Sequence, residues 1–433
     1  MNRQIRFLLA SLVLGAAFLS LTATADGTGV VTRTLQQSIN VPAGDSVAVE
    51  NLVGHMRIVQ GNGPLQITAT VVAGGDHARL LMQSVKLDVS TLGKRVRVHV
   101  HYPVDRYGTF HYSPRSTETG GSEETCILLI CFHSRSINTI RLRYQGKRVR
   151  VIESTGGGSG APLYVDVVVH LPAQVGASFS NAAGLLEADG LANNLSLVTQ
   201  GGNVHVASLR GQLDAHSNGG DIHVQSLHGQ LDAYSNGGDI HVRSLHGQLV
   251  AHSNGGDIHV QSLSGILETN SSGGDVYLGD VSSSDAHADT DGGDLTGSGL
   301  NGDFTLATSS GDAKIDTVAG KVSLNSGSGD ARFFGNLSSL QSLDADTGGG
   351  DLRVSGNLAG LTSLHADSGG GDIMVRASHL SLHMNASSGG GTVRVHLPDI
   401  RNVSSSSDHF SGDIGRAAGR ATLRSGGGDI TVT

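Results

Sequence analysis

The segment Gly211-Gln-Leu-Asp-Ala-His-Ser-Asn-Gly-Gly-Asp-Ile-His-Val-Gln-Ser-Leu-His228 returns almost unchanged from Gly229 and again from Gly247. Each copy is 18 residues long and carries an aspartate after a Gly-Gly pair. The aspartate recurs, with Asn203 ahead of the series and Thr392 in its place near the end, at Asp221, Asp239, Asp257, Asp275, Asp294, Asp312, Asp330, Asp351, Asp372 and Asp429. A short fixed period of this kind is the signature of a solenoid.

Within each copy, apolar and polar residues alternate. Leu213 and Ala215 alternate with Asp214 and His216, which predicts strands with one buried face. Glycines in the turn Ser217–Gly220 supply positive φ without steric cost. So short a unit cannot bury its own apolar face, and copies must stack with equivalent residues about 4.8 Å apart. The predicted fold is all-β: a β-solenoid of ~18–21-residue coils with an N-terminal β-rich cap and a looped insertion.

The sequence divides into four predicted parts. Residues 1–25 are typical of a signal peptide, because Arg3 and Arg6 precede the apolar run Phe7–Leu21 and the small residues Ala23-Thr24-Ala25. An uncleaved membrane anchor is the alternative. The remaining parts are a β-rich region at 26–104, a loop-rich insertion at 105–160 and the repetitive solenoid at 161–433. We therefore expect an exported protein, periplasmic or extracellular at the cell surface, with no transmembrane segment after signal cleavage.

Composition argues against two classes of function. The net charge of −9 disfavours a general affinity for nucleic acid. An enzyme of the carbohydrate-lyase type would need converging carboxylates and a basic residue, whereas the repeat spreads the acidic residues along the chain. Aromatic residues for sugar stacking are scarce at 4%, with no Trp, and neither a Gly-x-Ser-x-Gly elbow nor a phosphate-binding loop occurs. We predict a protein that is not an enzyme and has no nucleic-acid partner.

A family resemblance rests on three sequence features. They are Val168-Val169-His170-Leu171-Pro172, the segment Gly184-Leu-Leu-Glu-Ala-Asp-Gly190, and the Gly-Gly-Asp-Ile-x-Val runs that follow. Together they resemble the bacterial putative-adhesin domain family of unknown function, which is similar to the head domains of auto-transporter adhesins. The resemblance covers roughly residues 40–433 apart from the insertion. It implies an exported β-solenoid without known catalysis.

Histidines form the first candidate site. If copies stack in register, His205, His223, His241 and His259 form an outward column that ends at Tyr277. His216 and His252 would flank Tyr234, and His228 would lie next to His246. Neutral imidazoles one strand spacing apart suit Zn²⁺, Cu²⁺ or Ni²⁺. The alternative is that duplication copied one exposed polar residue with no ligand. Falling pH should charge the column and loosen it.

The aspartates of the Gly-Gly-Asp turns form the second candidate site. Asp221, Asp239, Asp257 and Asp275 partly match the calcium-binding nonapeptide pattern, in which the Gly-Gly pair recurs twice as often. The alternative is that they bond backbone N–H groups within the turns. Stacked carboxylates repel, so weak binding of a divalent cation stays open. No other cofactor is predicted.

Two features lie outside the repeats. Cys126 and Cys131 fit a local disulfide in an oxidising compartment, and buried free thiols are the alternative. A basic patch comprises Arg141, Arg143, Lys147, Arg148 and Arg150, several at alternate positions. Such a strand face could bind an acidic glycan or lipid headgroup. The alternative is a charged edge that prevents sheet-to-sheet aggregation.

Two hypotheses of function follow. The first is an exported non-enzymatic adhesin-like or envelope scaffold protein that presents a repetitive solenoid surface to an envelope or surface partner, either protein or glycan. The second is a periplasmic metal- or pH-responsive binding protein that uses the stacked histidines.

Overall fold

A computed structural model of the chain describes residues 30–112, 125–127, 130–132, 138–153 and 159–433. The predicted signal peptide lies outside these residues. The described residues fall into two compact units, one within Met1–Ser113 and Arg135–Gly176, the other within Pro114–Ser134 and Ala177–Thr433. Strands make up 68% of the described residues and helix 2%, which confirms the predicted all-β class.

The elements follow one another along the chain in this order. They are β1 (Val31–Ile39), β2 (Ser46–Val53), β3 (Met56–Gly61), β4 (Leu65–Ala73), α1 (Ala78–Ser84), β5 (Lys86–Leu92), β6 (Arg95–His101), β7 (Thr109–Tyr112), β8 (Thr125–Ile127), β9 (Ile130–Phe132), β10 (Asn138–Tyr144), β11 (Lys147–Glu153), β12 (Ala161–Pro172), β13 (Gly176–Ala183), β14 (Leu186–Asp189), β15 (Leu195–Thr199) and β16 (Val204–Ser217). They continue as β17 (Ile222–Ser235), β18 (Ile240–Ser253), β19 (Ile258–Ser271), β20 (Val276–Thr290), β21 (Leu295–Thr308), β22 (Ala313–Ser326), β23 (Ala331–Phe334), β24 (Leu340–Thr347), β25 (Leu352–Gly356), β26 (Ser363–Ser368), β27 (Ile373–Ala377), β28 (Leu382–Ser388), β29 (Val393–Val395), β30 (Ile400–Ser405), β31 (His409–Ile414), β32 (Gly419–Ser425) and β33 (Ile430–Val432).

The first unit is a mixed sheet around an aliphatic core. Strand β4 pairs antiparallel with β1 and β12, and β12 pairs parallel with β3 and β7. The hairpin β10–β11 joins the sheet through β7, which runs parallel to β11. Tyr102 is fully buried, and its single O–H is shared between Val53 O at 2.9 Å and Asn51 Oδ1 at 3.1 Å. The only helix of the described chain, α1, has seven residues, and no helix there has the length and apolar character of a membrane span.

The second unit is the predicted β-solenoid, with about 11 turns. Strands β16 to β22 pair parallel, each with the next, and equivalent repeat residues lie opposite one another. In the coil of β17 the side chains that point inward are Ile222, Val224, Leu227, Leu231, Ala233 and Ser235, each at most 1% exposed. The strict alternation breaks on both sides of Leu227, so the strand bends twice. At the second bend Gly229 has φ of 140°, and a Cβ there would lie 2.0 Å from Gly211 O. Only glycine fits this position.

A buried hydroxyl at the same position of each coil bonds its own turn, and in most coils it also links the coil to its neighbour. Ser235 Oγ accepts a hydrogen bond from Gly238 N and donates one to Gly220 O of the preceding coil, at 3.0 and 3.2 Å. The equivalent buried residues, all Ser or Thr, are Thr199, Ser217, Ser253, Ser271, Thr290, Thr308, Ser326, Thr347, Ser368, Ser388 and Ser425. Each hydroxyl supplies partners for turn groups that are cut off from water. Most of the buried polar side chains of the solenoid lie in this column, whereas the buried Thr269 hydroxyl lies outside it and has no hydrogen-bond partner among the described residues.

The last coils do not stack in chain order. Strand β32 pairs parallel with both β26 and β28, so the C-terminal coil is inserted between two earlier ones. Asp372 Oδ1 accepts a hydrogen bond from Asp429 N, and Asp429 Oδ1 accepts one from Thr392 N, at 2.8 and 2.7 Å. Strand β31 then pairs antiparallel with β28 and covers its edge. Thr392, not Asp429, thus ends the column of turn residues in space.

Candidate functional site

The histidine column occupies the second position of successive strands. His205, His223, His241, His259 and Tyr277 each follow an inward Ile or Val and lie in register from β16 to β20. The rings of His223 and His241 stack with centroids 4.7 Å apart and planes 9° apart. His241 and His259 are 4.7 Å apart, and His259 and Tyr277 are 4.4 Å apart. His205 departs from the stack, since its ring meets His223 edge-on at 6.5 Å.

An aspartate column runs alongside the histidine column, two residues earlier in each coil. Asp221 Oδ1 accepts a hydrogen bond from Asp239 N at 3.0 Å, and Asp239 and Asp257 do the same for the next coils, the last reaching Asp275 N. The second carboxylate oxygen of each lies near the imidazole of its own coil. The Oδ2 to Nε2 distances are 3.9 Å for Asp221–His223 and 3.8 Å for Asp257–His259. Each carboxylate thus bonds the turn and also faces a titratable ring.

The two columns perturb each other's protonation. Partial burial, together with the neighbouring imidazoles His223 and His259, holds the pKa of His241 below its ordinary value, against the opposite pull of Asp239 and Asp221. The His223 imidazole, 3.9 Å away, and the hydrogen bond from the Asp239 backbone N–H lower the pKa of Asp221. At the end of the column, a 2.8 Å hydrogen bond to Asp275 raises the pKa of Tyr277 to about 12. Near neutral pH Asp221 is charged while Tyr277 stays neutral.

A groove of about 720 Å³ follows the histidine column, and we call it the His groove. One wall is formed by the His and Tyr side chains, and the other by Gln225, Arg243 and Gln261 from the next outward position of each strand. Between the walls lie Val224, Val242 and Val260. Both walls repeat once per coil because they are built from equivalent positions.

The stacked rings are not arranged as a set of metal ligands. Imidazole lone pairs lie in the ring plane, so the parallel rings of His223, His241 and His259 direct them side by side and not toward one point. The other predicted pair, His216 and His252, is separated by Tyr234, which lies in register between them. His216 Nδ1 instead lies 2.7 Å from Asp214 Oδ1. His228 and His246 stack at 4.9 Å on another column.

Across the described residues, one group of three His or Asp side chains brings its ligand atoms within 4.8 Å of one another. It comprises Asp344, Asp346 and His365 and could hold a divalent cation. Asp344 lies opposite His365 in the pairing of β24 with β26. Like charge from Asp344 adds to partial desolvation and raises the pKa of Asp346. Sequence reasoning missed this group because Asp344 and Asp346 lie in a coil that is longer than the 18-residue repeat. In that coil Asp346 lies opposite Asp367, 21 residues later in the chain.

The remaining predicted site residues lie elsewhere. Cys126 and Cys131 are opposite one another in the backbone pairing of β8 with β9, and their side chains lie outside the described residues. The five basic residues occupy the hairpin β10–β11 of the first unit. Lys147 pairs there with Asp105 at 3.3 Å. Their sequence alternation places the arginines on one exposed face.

Comparison with known proteins gives a family match and several weak structural likenesses. No curated protein matches the sequence. A structure described as a "putative adhesin" from Parabacteroides merdae is 14% identical, with 70% of this chain and 96% of that chain covered, at a TM-score of 0.28. A "putative cell adhesion protein" from Clostridium sporogenes is 8% identical over 93% and 98%, at 0.16. A "putative lipid binding protein" from Parabacteroides distasonis is 9% identical over 94% and 98%, at 0.21. Superpositions this weak carry no argument about the chain.

The family match covers the C-terminal part of the repeats. The model described as Toastrack DUF4097 matches residues 248–433, a narrower stretch than the resemblance predicted. It begins inside β18 and includes the histidines and aspartates from His252 onward. The predicted family resemblance is supported over this stretch, since residues 248–433 of the chain match the Toastrack DUF4097 family model.

Proposed function

We propose that the chain is an exported, non-enzymatic, adhesin-like or envelope scaffold protein whose solenoid presents the His groove to a partner. One observation carries the proposal. Outward side chains recur in register on consecutive coils, with stacked rings 4.7 Å apart, and line an open groove of about 720 Å³. A surface that repeats once per coil favours an extended partner with its own short repeat, such as a glycan chain or an extended polypeptide of the envelope.

The chemistry of the groove supports binding over catalysis. Each imidazole has a carboxylate near it, at 3.9 Å for His223 and Asp221. The other lining residues supply amide, arginine and aliphatic side chains and the hydroxyls of Tyr277 and Thr296, and none of them is a serine, cysteine or lysine. Several equivalent and exposed imidazoles also lack the unique, enclosed position that a catalytic base requires.

Binding to envelope material tests the proposal. We would label the purified chain and measure its binding to intact cells and to isolated envelopes of the producing bacterium. The variant His223→Thr/His241→Thr alters the groove, and the solenoid tolerates Thr at the equivalent position Thr296. The control His228→Ser/His246→Ser removes two imidazoles from another column, where Ser264 occurs naturally.

We expect the groove variant to lose most of the binding and the control to keep it. Equal binding by both variants, or no binding by the native chain, would contradict the proposal. Export is tested separately by cell fractionation and protease shaving, and recovery of the protein from the cytoplasm alone would contradict an exported role.

The lowered pKa of His241 favours a second candidate function, a pH-responsive binding protein of the periplasm. Stacked imidazoles disfavour a second positive charge, so protonation below the ordinary histidine pKa would alter the column. The metal-responsive form of this hypothesis is tested by calorimetric titration with Zn²⁺, Cu²⁺ and Ca²⁺. Heat that saturates at micromolar ion and is lost in His223→Thr/His241→Thr would favour it over the scaffold proposal.

A further inference from the structure

The hairpin β10–β11 of the first unit has two chemically different faces. Its inward face carries Ile140, Tyr144, Val149 and Val151, all at most 9% exposed. Its outward face carries Arg141, Arg143, Arg148 and Arg150, all exposed. A turn at Gln145-Gly146, both with positive φ, joins the strands in the manner that two-residue hairpins require. We call the four outward side chains the Arg face.

The arginines of this face lie directly opposite one another. Arg141 pairs with Arg150 across the two strands, and Arg143 pairs with Arg148. Facing residues of a strand pair lie about 5 Å apart, and the two rows are about 7 Å apart along the strand. Four positive charges therefore share one small area. Like charges directly opposite each other destabilise a hairpin.

Packing holds the hairpin in place despite this repulsion. The Tyr144 hydroxyl donates a hydrogen bond to Val100 O at 2.6 Å, and its ring stacks on His99 with centroids 4.8 Å apart. The arginines themselves have no such partners, because none of the four makes an ion pair within the part of the chain that the structure describes. The unfavourable charges are thus presented on a rigid support, with their donors open to solvent.

Protection of a sheet edge explains only half of the cluster. Among the described strands β10 pairs with β11 alone and is an edge, so Arg141 and Arg143 could block further pairing. Strand β11 is not an edge, since it also pairs with β7. Arg148 and Arg150 therefore need another explanation. A shallow pocket of about 460 Å³ lies between the two arginine rows and is bordered by Thr109.

We propose that the Arg face binds the phosphate groups of anionic lipid headgroups at a membrane surface. The planar guanidinium fork matches phosphate oxygens two at a time. A flat array of like charges complements a surface on which single negative charges lie side by side. The four side chains of the Arg face are all Arg, with no aromatic or amide side chain among them to orient sugar hydroxyls. This chemistry selects for negative charge and not for the shape of a glycan.

Vesicle co-sedimentation with the full chain tests the proposal. The probes are vesicles of phosphatidylcholine alone and vesicles in which half of it is replaced by phosphatidylglycerol. We expect binding to the anionic vesicles only, with strong dependence on salt. Arg141→Gln/Arg150→Gln should weaken it by roughly tenfold or more, since each basic residue near an anionic surface contributes appreciably. Arg141→Lys/Arg150→Lys keeps the charge without the fork and should retain part of the binding.

The control Arg420→Gln/Arg424→Gln removes the same charge from exposed positions of the solenoid and should bind like the native chain. Inorganic phosphate, at a concentration equal to that of the lipid phosphate, should displace little protein from the vesicles if the membrane surface is the ligand. Efficient release of the protein by free phosphate would contradict the assignment of the phosphate to lipid headgroups. Equal binding to neutral vesicles, equal losses in the Gln variant and its control, or a preference for a soluble acidic glycan would also overturn the proposal. Thermal unfolding of each variant verifies that it is folded. These residues lie outside the His groove, so the two proposals fail independently.

Discussion

The coils at residues 222–271 and those at residues 331–395 share an interior but differ at one outward position. Two residues after the turn Asp, the first region has His223, His241 and His259. The second has Arg332, Arg353 and, after Thr392, Arg394, with Met374 after Asp372. In the first region each carboxylate faces an imidazole at 3.8 to 3.9 Å. In the second, Arg353 Nη2 lies 2.6 Å from Asp351 Oδ2, and Arg394 Nη1 lies 2.9 Å from Asp429 Oδ2.

The difference separates what builds the solenoid from what its surface does. The inward Ile, Val and Ala, the buried Ser or Thr, and the turn glycines recur in both regions, because stacking demands them. The outward position two residues after the turn Asp can hold a His, which forms a titratable pair with that Asp, or an Arg, which forms a permanently charged pair with it. The shared interior should therefore respond alike to substitution, and only the surface should respond differently to pH.

The largest effect should come from the turn glycines, and it should be the same in both regions. A Cβ at Gly238 would lie 2.4 Å from Gly220 O, and one at Gly350 would lie 2.1 Å from Gly329 O. We expect Gly238→Ala and Gly350→Ala each to destabilise the chain by about 3 kcal/mol in urea unfolding, because backbone must move to admit the methyl group.

The neighbouring glycines provide matched controls. At Gly237 the nearest atom to a Cβ is 3.7 Å away, and at Gly349 there is none within 4 Å. Gly237→Ala and Gly349→Ala should change the free energy of unfolding by less than about 0.5 kcal/mol. A large loss in one region with none in the other would show that the interiors are not equivalent.

The buried hydroxyl column should give the second largest effect. Ser253 Oγ donates to Gly238 O at 3.2 Å and accepts from Gly256 N at 3.0 Å. Ser253→Ala leaves both backbone groups buried without partners, so we expect a loss of about 2 kcal/mol. Ser253→Thr should be close to neutral, since Thr290 and Thr308 fill the same position. Chemical denaturation measures both, and a neutral Ser253→Ala would contradict this role.

Acidification should loosen the histidine region selectively. The pKa of His241 is lowered in the folded chain, so the unfolded chain binds protons at higher pH. The stability contributed by the neutral ring is full above the unfolded pKa of about 6.5 and is lost as pH falls through it. We expect the melting temperature to be a few degrees lower at pH 5 than at pH 8.

Hydrogen exchange by mass spectrometry, corrected for intrinsic rates, locates this loss. Between pH 8 and pH 5, the protection of backbone amides from exchange should decrease in residues 222–271 and stay unchanged in residues 331–376. The pKa of Asp330 is lowered, chiefly by the Asp351 backbone N–H and also by Arg332, so its contribution is lost only as pH falls below about 4. Equal melting temperatures at pH 5 and pH 8, or equal loss of protection in both regions, would count against the comparison.

The smallest effect should come from exchanging the two surface chemistries. His241→Arg copies the Asp–Arg pair of the later coils into the histidine region. An exposed ion pair contributes about 0.5 kcal/mol, so stability at pH 8 should hardly change. The difference in melting temperature between pH 8 and pH 5 should shrink, because one titrating ring is gone. An unchanged difference would mean that other groups set the pH response.

Sequence alone predicted the coils and their register but not the order of the last ones. The repeat from Gly211 to Ser264 is nearly identical between copies, so period and alternation determine which side chains point inward. The segments at residues 382–395 and 419–432 both carry three glycines before Thr392 or Asp429 and fit the same position equally well. The two segments exchange their positions in the stack because β31 pairs antiparallel with β28. No local sequence pattern predicts this long-range pairing. The candidate cation site formed by Asp344, Asp346 and His365 was missed for a similar reason, because its residues come from different coils.

Cysteine cross-linking between coils tests most directly whether the copies lie in register over one another. Gln230 is exposed, Gln248 is half-buried, and the two lie opposite each other in β17 and β18. Gln230→Cys/Gln248→Cys should form an intramolecular disulfide on mild oxidation, detected by peptide mass spectrometry, because facing Cα atoms meet the geometric requirement. The pair Gln230→Cys/Ile266→Cys spans two coils, about 9.6 Å, and should not. Absence of the first link, or equal formation of both, would contradict the in-register stack.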